Sequence, residues 1–174
     1  EEMIAEIAHD NLEVVMVDLP DAPIAAVETK HDVDIVAAAH TRAALRAEAE
    51  GFDAVAMGCL GEPGVTAAKA MLRIPVIGEA QAAMHMAALV ARRFSLVGPG
   101  GREYAADFDH AYRYGFSQHL VSVKGVECTS ASFAFEEEGL ADLTIRAAMQ
   151  AIEEDGAQAI IGYGSLKIIR ALRN

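Results

Sequence analysis

The chain has 174 residues, 53% of them hydrophobic and 23% charged, with 14 Lys and Arg against 26 Asp and Glu for a formal net charge of −12. This apolar fraction excludes a disordered chain, the length suits one average domain or two small lobes, and the acidic balance excludes a nucleic-acid-binding face. No apolar run is long enough to span a bilayer and Glu1-Glu2-Met3 does not resemble a secretory leader, so a soluble, cytoplasmic protein without nucleic-acid or membrane partners is expected.

The first residue is not Met, and residues 1–9 read as the later turns of a helix, so the natural start is expected upstream. Residues 12–18 form an apolar run that predicts a strand, and 33–50 have helical period. Strands are then predicted at 53–58, 74–78, 93–98, 119–125 and 158–163, with helices at 62–71, 80–91, 102–115 and 138–155 and a last one from Ser165. In 138–155, Leu140, Leu143, Ala147, Ala148 and Ala151 share one stripe while Glu153, Glu154 and Asp155 run into solvent. Nearly continuous apolar strands alternating with helices predict an α/β fold with parallel sheets covered on both faces.

A short internal repeat runs through this pattern. Glu50-Gly51-Phe52-Asp53-Ala54-Val55-Ala56-Met57-Gly58-Cys59 resembles Asp155-Gly156-Ala157-Gln158-Ala159-Ile160-Ile161-Gly162-Tyr163: a helix end with Gly, a buried strand, Gly again, then one side chain at the strand's carboxyl end. Ligands of open α/β sheets bind just beyond those ends, so two such units facing each other would place Cys59 and Tyr163 on opposite walls of a cleft. Parallel strands in general share much of this pattern, which leaves a chance likeness as the alternative.

The segment Gly58-Cys59-Leu60-Gly61-Glu62-Pro63-Gly64 joins a strand to a helix. There the unpaired N–H groups of a first helical turn favour a thiolate, and the glycines let a substrate carbonyl approach the backbone. Pro63 suits the first turn of the predicted helix. An inert, buried cysteine at a strand end is the plainer alternative. Two cysteines, Cys59 and Cys128, without metal-ligand spacing exclude a disulfide framework or a structural metal site.

The run from Asp53 through Gly64, followed by Ile74-Pro75-Val76-Ile77-Gly78-Glu79-Ala80, Met84-His85-Met86-Ala87 and Arg93-Phe94-Ser95-Leu96-Val97, resembles the hydantoin/allantoin branch of the Asp/Glu racemase superfamily. The resemblance covers about half the chain closely and most of the rest in element order. It implies two pseudo-symmetric parallel-sheet lobes with the active site between them, here residues 1–92, lacking a first strand, and 93–174, with the C-terminal end returning to the first lobe. It also implies no cofactor, no metal, a small-molecule substrate and a homo-oligomer. In this family one thiolate removes the proton beside a carbonyl and a second cysteine returns one from the other face, as inversion at a planar carbanion requires. Cys59 matches the first cysteine, with Gly58, Leu60 and Gly61 as its binding loop.

The second half departs from the family. The second lobe's Gly-Cys-(Ala/Thr)-Gly is replaced by Gly162-Tyr163-Gly164-Ser165, so Tyr163 stands in the cysteine's place, with Gly164 and Ser165 beside it as substrate-binding candidates. A phenol, with a reference pKa of about 10 against about 8.5 for a thiol, is less available as a base near neutrality, but it can donate a proton or hydrogen bond. Gly98-Pro99-Gly100-Gly101 replaces the branch's Thr residues; it reads as a turn whose N–H groups, Gly98 included, could still meet an anion. Cys128 lies outside the repeat, His85 reads as a structural histidine, and Glu79 reads as a partner of a helix dipole or a substrate-facing group. No chemistry is assigned to Tyr104, Tyr112 or Tyr114, and His9, His31, His40, His110 and His119 show no metal or triad spacing.

No nucleotide-binding glycine motif, serine-hydrolase elbow or His-Glu-x-x-His occurs. The expected function is a cofactor-independent racemase or isomerase in which Cys59 takes the proton next to a carbonyl of a hydantoin- or amino-acid-like substrate and Tyr163 lines the opposite wall. Two alternatives stay open: a single-cysteine lyase or cis–trans isomerase resembling arylmalonate decarboxylase or maleate isomerase, and a catalytically silent small-molecule binder on the same fold.

Overall fold

The structure, a computed structural model, describes residues 11–100, 104–129, 132 and 139–163, with residues 104–106 described in backbone only. Gly164, Ser165, the helix predicted from Ser165 and that predicted at 1–9 lie outside the described residues.

Helix α1 spans Lys30–Glu50 and begins at a capping box: the Thr29 hydroxyl accepts the Asp32 N–H at 3.2 Å, and the Asp32 carboxylate accepts the Thr29 N–H at 2.8 Å. The helix ends at Gly51, whose φ of 92° turns the chain in a left-handed conformation. There follow β1 (Val55–Met57), α2 (Val65–Met71), β2 (Val76–Gly78), α3 (Glu79–Val90), β3 (Phe94–Pro99), α4 (Tyr104–Tyr114), β4 (Leu120–Val126), α5 (Leu140–Glu153) and β5 (Ala159–Gly162).

Every strand pairing among the described residues is parallel. β1 pairs with β2, Met57 opposite Gly78, and β3 is the centre of a sheet ordered β4-β3-β5. In that sheet Phe94 lies opposite both Leu120 and Ala159. The central strand is covered on both faces, since Phe94, Ser95, Leu96 and Val97 are each 0% exposed. The polar exception, Ser95, is satisfied by the Ser122 hydroxyl at 2.7 Å. Met84 and Ala87 of α3, Ala111 of α4 and Leu120 pack with Phe94 and Leu96 on one side, while Leu140, Ala147 and Ala148 of α5 pack with Val97 on the other. A separate cluster of Ala44, Met57, Val65, Ala68 and Val76 joins α1 and α2 to the smaller sheet.

Two predicted elements differ. Residues 12–18 form no strand of either sheet, and Leu12, Val14, Val15, Met16 and Val17 are exposed. An apolar run supplies strand propensity, but among the described residues this segment joins neither of the two ladders. The helix predicted at 62–71 starts only at Val65, because Glu62 (φ 52°) and Gly64 (φ 77°) take left-handed conformations that no helix accommodates. Pro63 therefore precedes the helix instead of opening it.

The repeat is present as local geometry. Gly51 and Gly156 both have positive φ, Phe52 N–H reaches Ala47 O at 3.1 Å, and Ala157 N–H reaches Ala151 O at 3.0 Å. Each turn delivers the chain to a parallel strand, β1 or β5, that ends beside Cys59 or Tyr163. None of the described helices is long and apolar enough to cross a membrane.

Candidate active site

Cys59 follows β1 after Gly58 and is half-buried. Its φ is 78°, a conformation that costs a residue with a Cβ about 1–2 kcal/mol and is found where surrounding structure imposes it. Here the constraint is a tight turn, closed by the Glu62 N–H on Cys59 O at 2.9 Å and anchored by the buried side chains of Leu60 and Pro63. Leu60 can therefore offer a ligand only its backbone. A Cβ at Gly61 would lie 3.0 Å from Val33 Cγ2 and 3.5 Å from Cys59 Sγ, so that glycine adjoins both the thiol and α1, while a Cβ at Gly58 would meet nothing within 4 Å. The turn separates Cys59 from the start of α2, and the expected help from that helix's dipole is absent.

A different helix lies beside the thiol. Because β1 and β2 are adjacent and parallel, the end of β1 adjoins the first turn of α3, where the Glu79 carboxyl accepts the Cys59 backbone N–H. Burial of that carboxyl raises its pKa, the Cys59 N–H opposes the rise, and nearby Glu62 adds to it. Of the two roles considered for Glu79, the structure shows it tied to the Cys59 backbone from the first turn of α3.

Glu62 is buried and holds the loop from both sides. One carboxylate oxygen accepts the Gln81 N–H at 2.8 Å and the other accepts the Tyr114 hydroxyl. A Cβ at position 78 would lie 2.2 Å from Glu62 Oε1, so a side chain there would displace the Glu62 carboxylate from its place. Burial, reinforced by the Glu62 carboxylate, raises the Tyr114 pKa. The His110 ring stacks on Tyr114 at 6.2 Å and is itself buried, which lowers its pKa against the pull of Glu62.

At the end of β5, Tyr163 continues the strand pairing through its N–H on Val97 O at 2.8 Å. Its ring lies against Gly98, where a Cβ would come within 2.5 Å of the ring atoms. Gly98 is thus a seat for Tyr163. The Tyr163 hydroxyl donates to Asp107 of α4, a buried carboxyl whose pKa is pushed up to about 6 by burial, with the tyrosine's hydrogen bond acting the other way.

Asp107, His110 and Tyr114 follow one another at helical spacing and share one face of α4. That face meets Tyr163 at one end and Glu62 of the cysteine loop at the other. The structure therefore gathers Gly58, Cys59, Leu60 and Gly61 in one loop, seats Tyr163 on Gly98, and connects both groups to α4. Sequence reasoning missed Asp107, His110 and Tyr114; the one available signal was three polar side chains recurring at helical spacing within the helix predicted at 102–115. Cys128 packs beside Val97 and Val126, under α5, and His85 is an exposed residue whose Nδ1 lies 2.7 Å from Gln81 O with its ring edge-on to Phe116. Among the described residues no three His, Cys, Asp or Glu side chains are grouped to hold a metal ion.

A sequence profile described as Asp/Glu/Hydantoin racemase matches residues 1–161, stopping short of Tyr163. A hydantoin racemase of Paenarthrobacter aurescens is 34% identical over 119 residues, which is 67% of this chain and 50% of that protein. One of Rhizobium meliloti is 32% identical over 114 residues, 66% of this chain and 47% of that protein. The chain thus spans about half the length of the curated relatives it matches. Among solved structures, an allantoin racemase from Klebsiella pneumoniae superposes with a TM-score of 0.89 at 28% identity, covering 99% of this chain and 72% of the other. An allantoin racemase from Pseudomonas fluorescens, at 22% identity and a TM-score of 0.78, shares the fold over 92% of this chain and 68% of its own. The α/β architecture with parallel sheets is that of the allantoin racemases, and the chain belongs to the Asp/Glu/hydantoin racemase family.

Proposed function

We propose that this chain carries the proton-abstracting half of a cofactor-independent racemase acting on a small hydantoin- or amino-acid-like carbon acid. The observation that carries the reading is Cys59 itself: a half-exposed thiol held at a positive φ at the end of a parallel strand, next to Gly58, where a Cβ would meet nothing within 4 Å. The Cys59 thiolate takes the proton from the carbon beside the carbonyl. With its own N–H given to Glu79, the enolate's negative charge is left to other N–H groups of the 58–64 turn. Tyr163, on its Gly98 seat, is the acid or hydrogen-bond donor on the opposite face, and residues 1–92 and 93–174 supply the two walls. In the assembled protein a homo-oligomer with a small-molecule substrate is the working picture.

Tyr163 also supports a second reading. A site with one thiol lacks matched groups on its two faces, which suits a lyase or cis–trans isomerase that needs a single nucleophile or base. Proton NMR in heavy water separates these readings, using 5-substituted hydantoins, allantoin, aspartate and glutamate with Cys59→Ala as control. Exchange at the acidic carbon that vanishes in the variant, together with loss of optical rotation, supports racemisation. Exchange without loss of rotation supports one-sided chemistry, and no exchange by folded protein overturns the racemase reading for those substrates.

A further inference from the structure

Asp107 is a buried carboxyl on α4 whose Oδ1 receives the Tyr163 hydroxyl. Ordinary placement of an aspartate that deep pairs it with a cation or several N–H donors. Among the described residues, burial and the Tyr163 hydroxyl are the two influences on its ionisation. Glu79 and His85 of α3 and Lys124 of β4, the elements packed against α4, are not among them, nor are Asp109, His110 or Arg113 of α4 itself. Burial pushes its pKa up to about 6, so near neutrality it can both hold and release a proton.

Resting on the reading of Tyr163 as the group opposite Cys59, we infer that Asp107 is a positioning residue that serves as the proton reservoir behind Tyr163 and acts on substrate only through the tyrosine hydroxyl. When the carbanion is protonated from the Tyr163 side, its lone pair forms the new C–H bond with the phenolic hydrogen. The Tyr163 O–H bond breaks, and the proton of the Asp107 carboxylic acid passes to the phenolic oxygen. The tyrosine ends neutral and Asp107 ends as carboxylate. In reverse, the Asp107 carboxylate takes the phenolic proton as the tyrosine oxygen accepts the substrate's. A free tyrosinate is never required, so the phenol's pKa of about 10 ceases to obstruct its use in the cysteine's place.

Two measurements on the full chain test this. Carbon-13 NMR of aspartate carboxyls is followed against pH in the unmodified protein, Asp107→Asn (for assignment) and Tyr163→Phe. A midpoint near 6 is expected, rising further when Tyr163→Phe removes the donor to the carboxylate. The second measurement is the pH profile of deuterium exchange at the acidic carbon of 5-benzylhydantoin. An inflection near the same pH is expected, lost in Asp107→Asn with a fall in rate of about tenfold or more, and regained in Asp107→Glu. An Asp107 midpoint in the ordinary carboxylate range, or one indifferent to Tyr163→Phe, overturns the pairing whatever the activity. An unchanged inflection in Asp107→Asn overturns the relay while leaving Cys59 as the base. Absence of exchange in the unmodified protein overturns the relay together with the function it rests on. Should Asp107→Asn fail to fold, Asp107→Glu and the Tyr163→Phe titration still decide the matter.

Discussion

The Glu62 carboxylate accepts the hydroxyl of Tyr114, which ties the loop carrying Cys59 to the helix carrying Asp107. Asp107 and Tyr114 lie two turns apart on one face of α4, about 10 Å along its axis. One rigid element thus sets the position of the cysteine loop at one end and of the Tyr163 hydroxyl at the other.

Tyr114→Phe removes, among the described residues, the side-chain donor to the buried Glu62 carboxylate while keeping the ring. A loss of about 2 kcal/mol is expected from urea unfolding, the range for a hydrogen bond to a charged group. Alkylation of Cys59 by iodoacetamide should also change, because its loop loses an anchor; an unchanged rate would show that Gln81 alone suffices to hold Glu62.

At position 59, strain and chemistry are separable. Cys59→Gly and Cys59→Ala should both abolish deuterium exchange, by a factor of at least about 100. Glycine relieves the φ of 78°, so Cys59→Gly should be the more stable of the two by about 1 kcal/mol in thermal unfolding. Equal stability would mean that the turn relaxes without effort.

Gly98→Ala places a methyl group 2.5 Å from the Tyr163 ring. The backbone of the fully covered β3 strand has little room to yield, so the ring is displaced from its seat and the Asp107 bond is weakened. A destabilisation of about 1–3 kcal/mol is expected. Unchanged stability in calorimetry would count against the seat.

Folded Asp107 keeps its proton up to about pH 6 instead of the ordinary 3.8, so the native state binds the extra proton between those values. The stability linked to this group is full below the lower value and declines as pH rises through the upper one. Compared with Asp107→Asn, the unmodified protein should lose on the order of 3 kcal/mol between about pH 3.5 and pH 7. Parallel pH–stability curves for the two proteins would contradict a raised carboxyl.

Order and type of most elements were legible in the residues themselves. The predicted and observed helices over 80–91 and 138–155 agree to within a residue or two, as do the strands at 93–98 and 119–125, because the apolar pattern there is continuous and turns or glycines bound it. Residues 12–18 show the limit of that signal. Their apolar run resembles a buried strand, but pairing depends on a neighbour's N–H and C=O groups in register, which a local pattern does not specify, and among the described residues the run joins neither sheet.

The sequence by itself determined the alternation of strand and helix, the Gly58-Cys59-Leu60-Gly61 loop at a strand's carboxyl end, and the short repeat that ends in Tyr163. These are local facts, read from hydrophobic period, turn residues and motif spacing over a few neighbouring positions. Only the tertiary structure decided that Glu79 holds the Cys59 N–H, that Glu62 bonds Tyr114, and that Asp107 sits behind Tyr163. Each of those pairs joins side chains from different elements, brought together by parallel pairing and by the burial of one face of α4. A carboxyl's ionisation depends on the water and charges around it in space, and on these a one-dimensional pattern is silent.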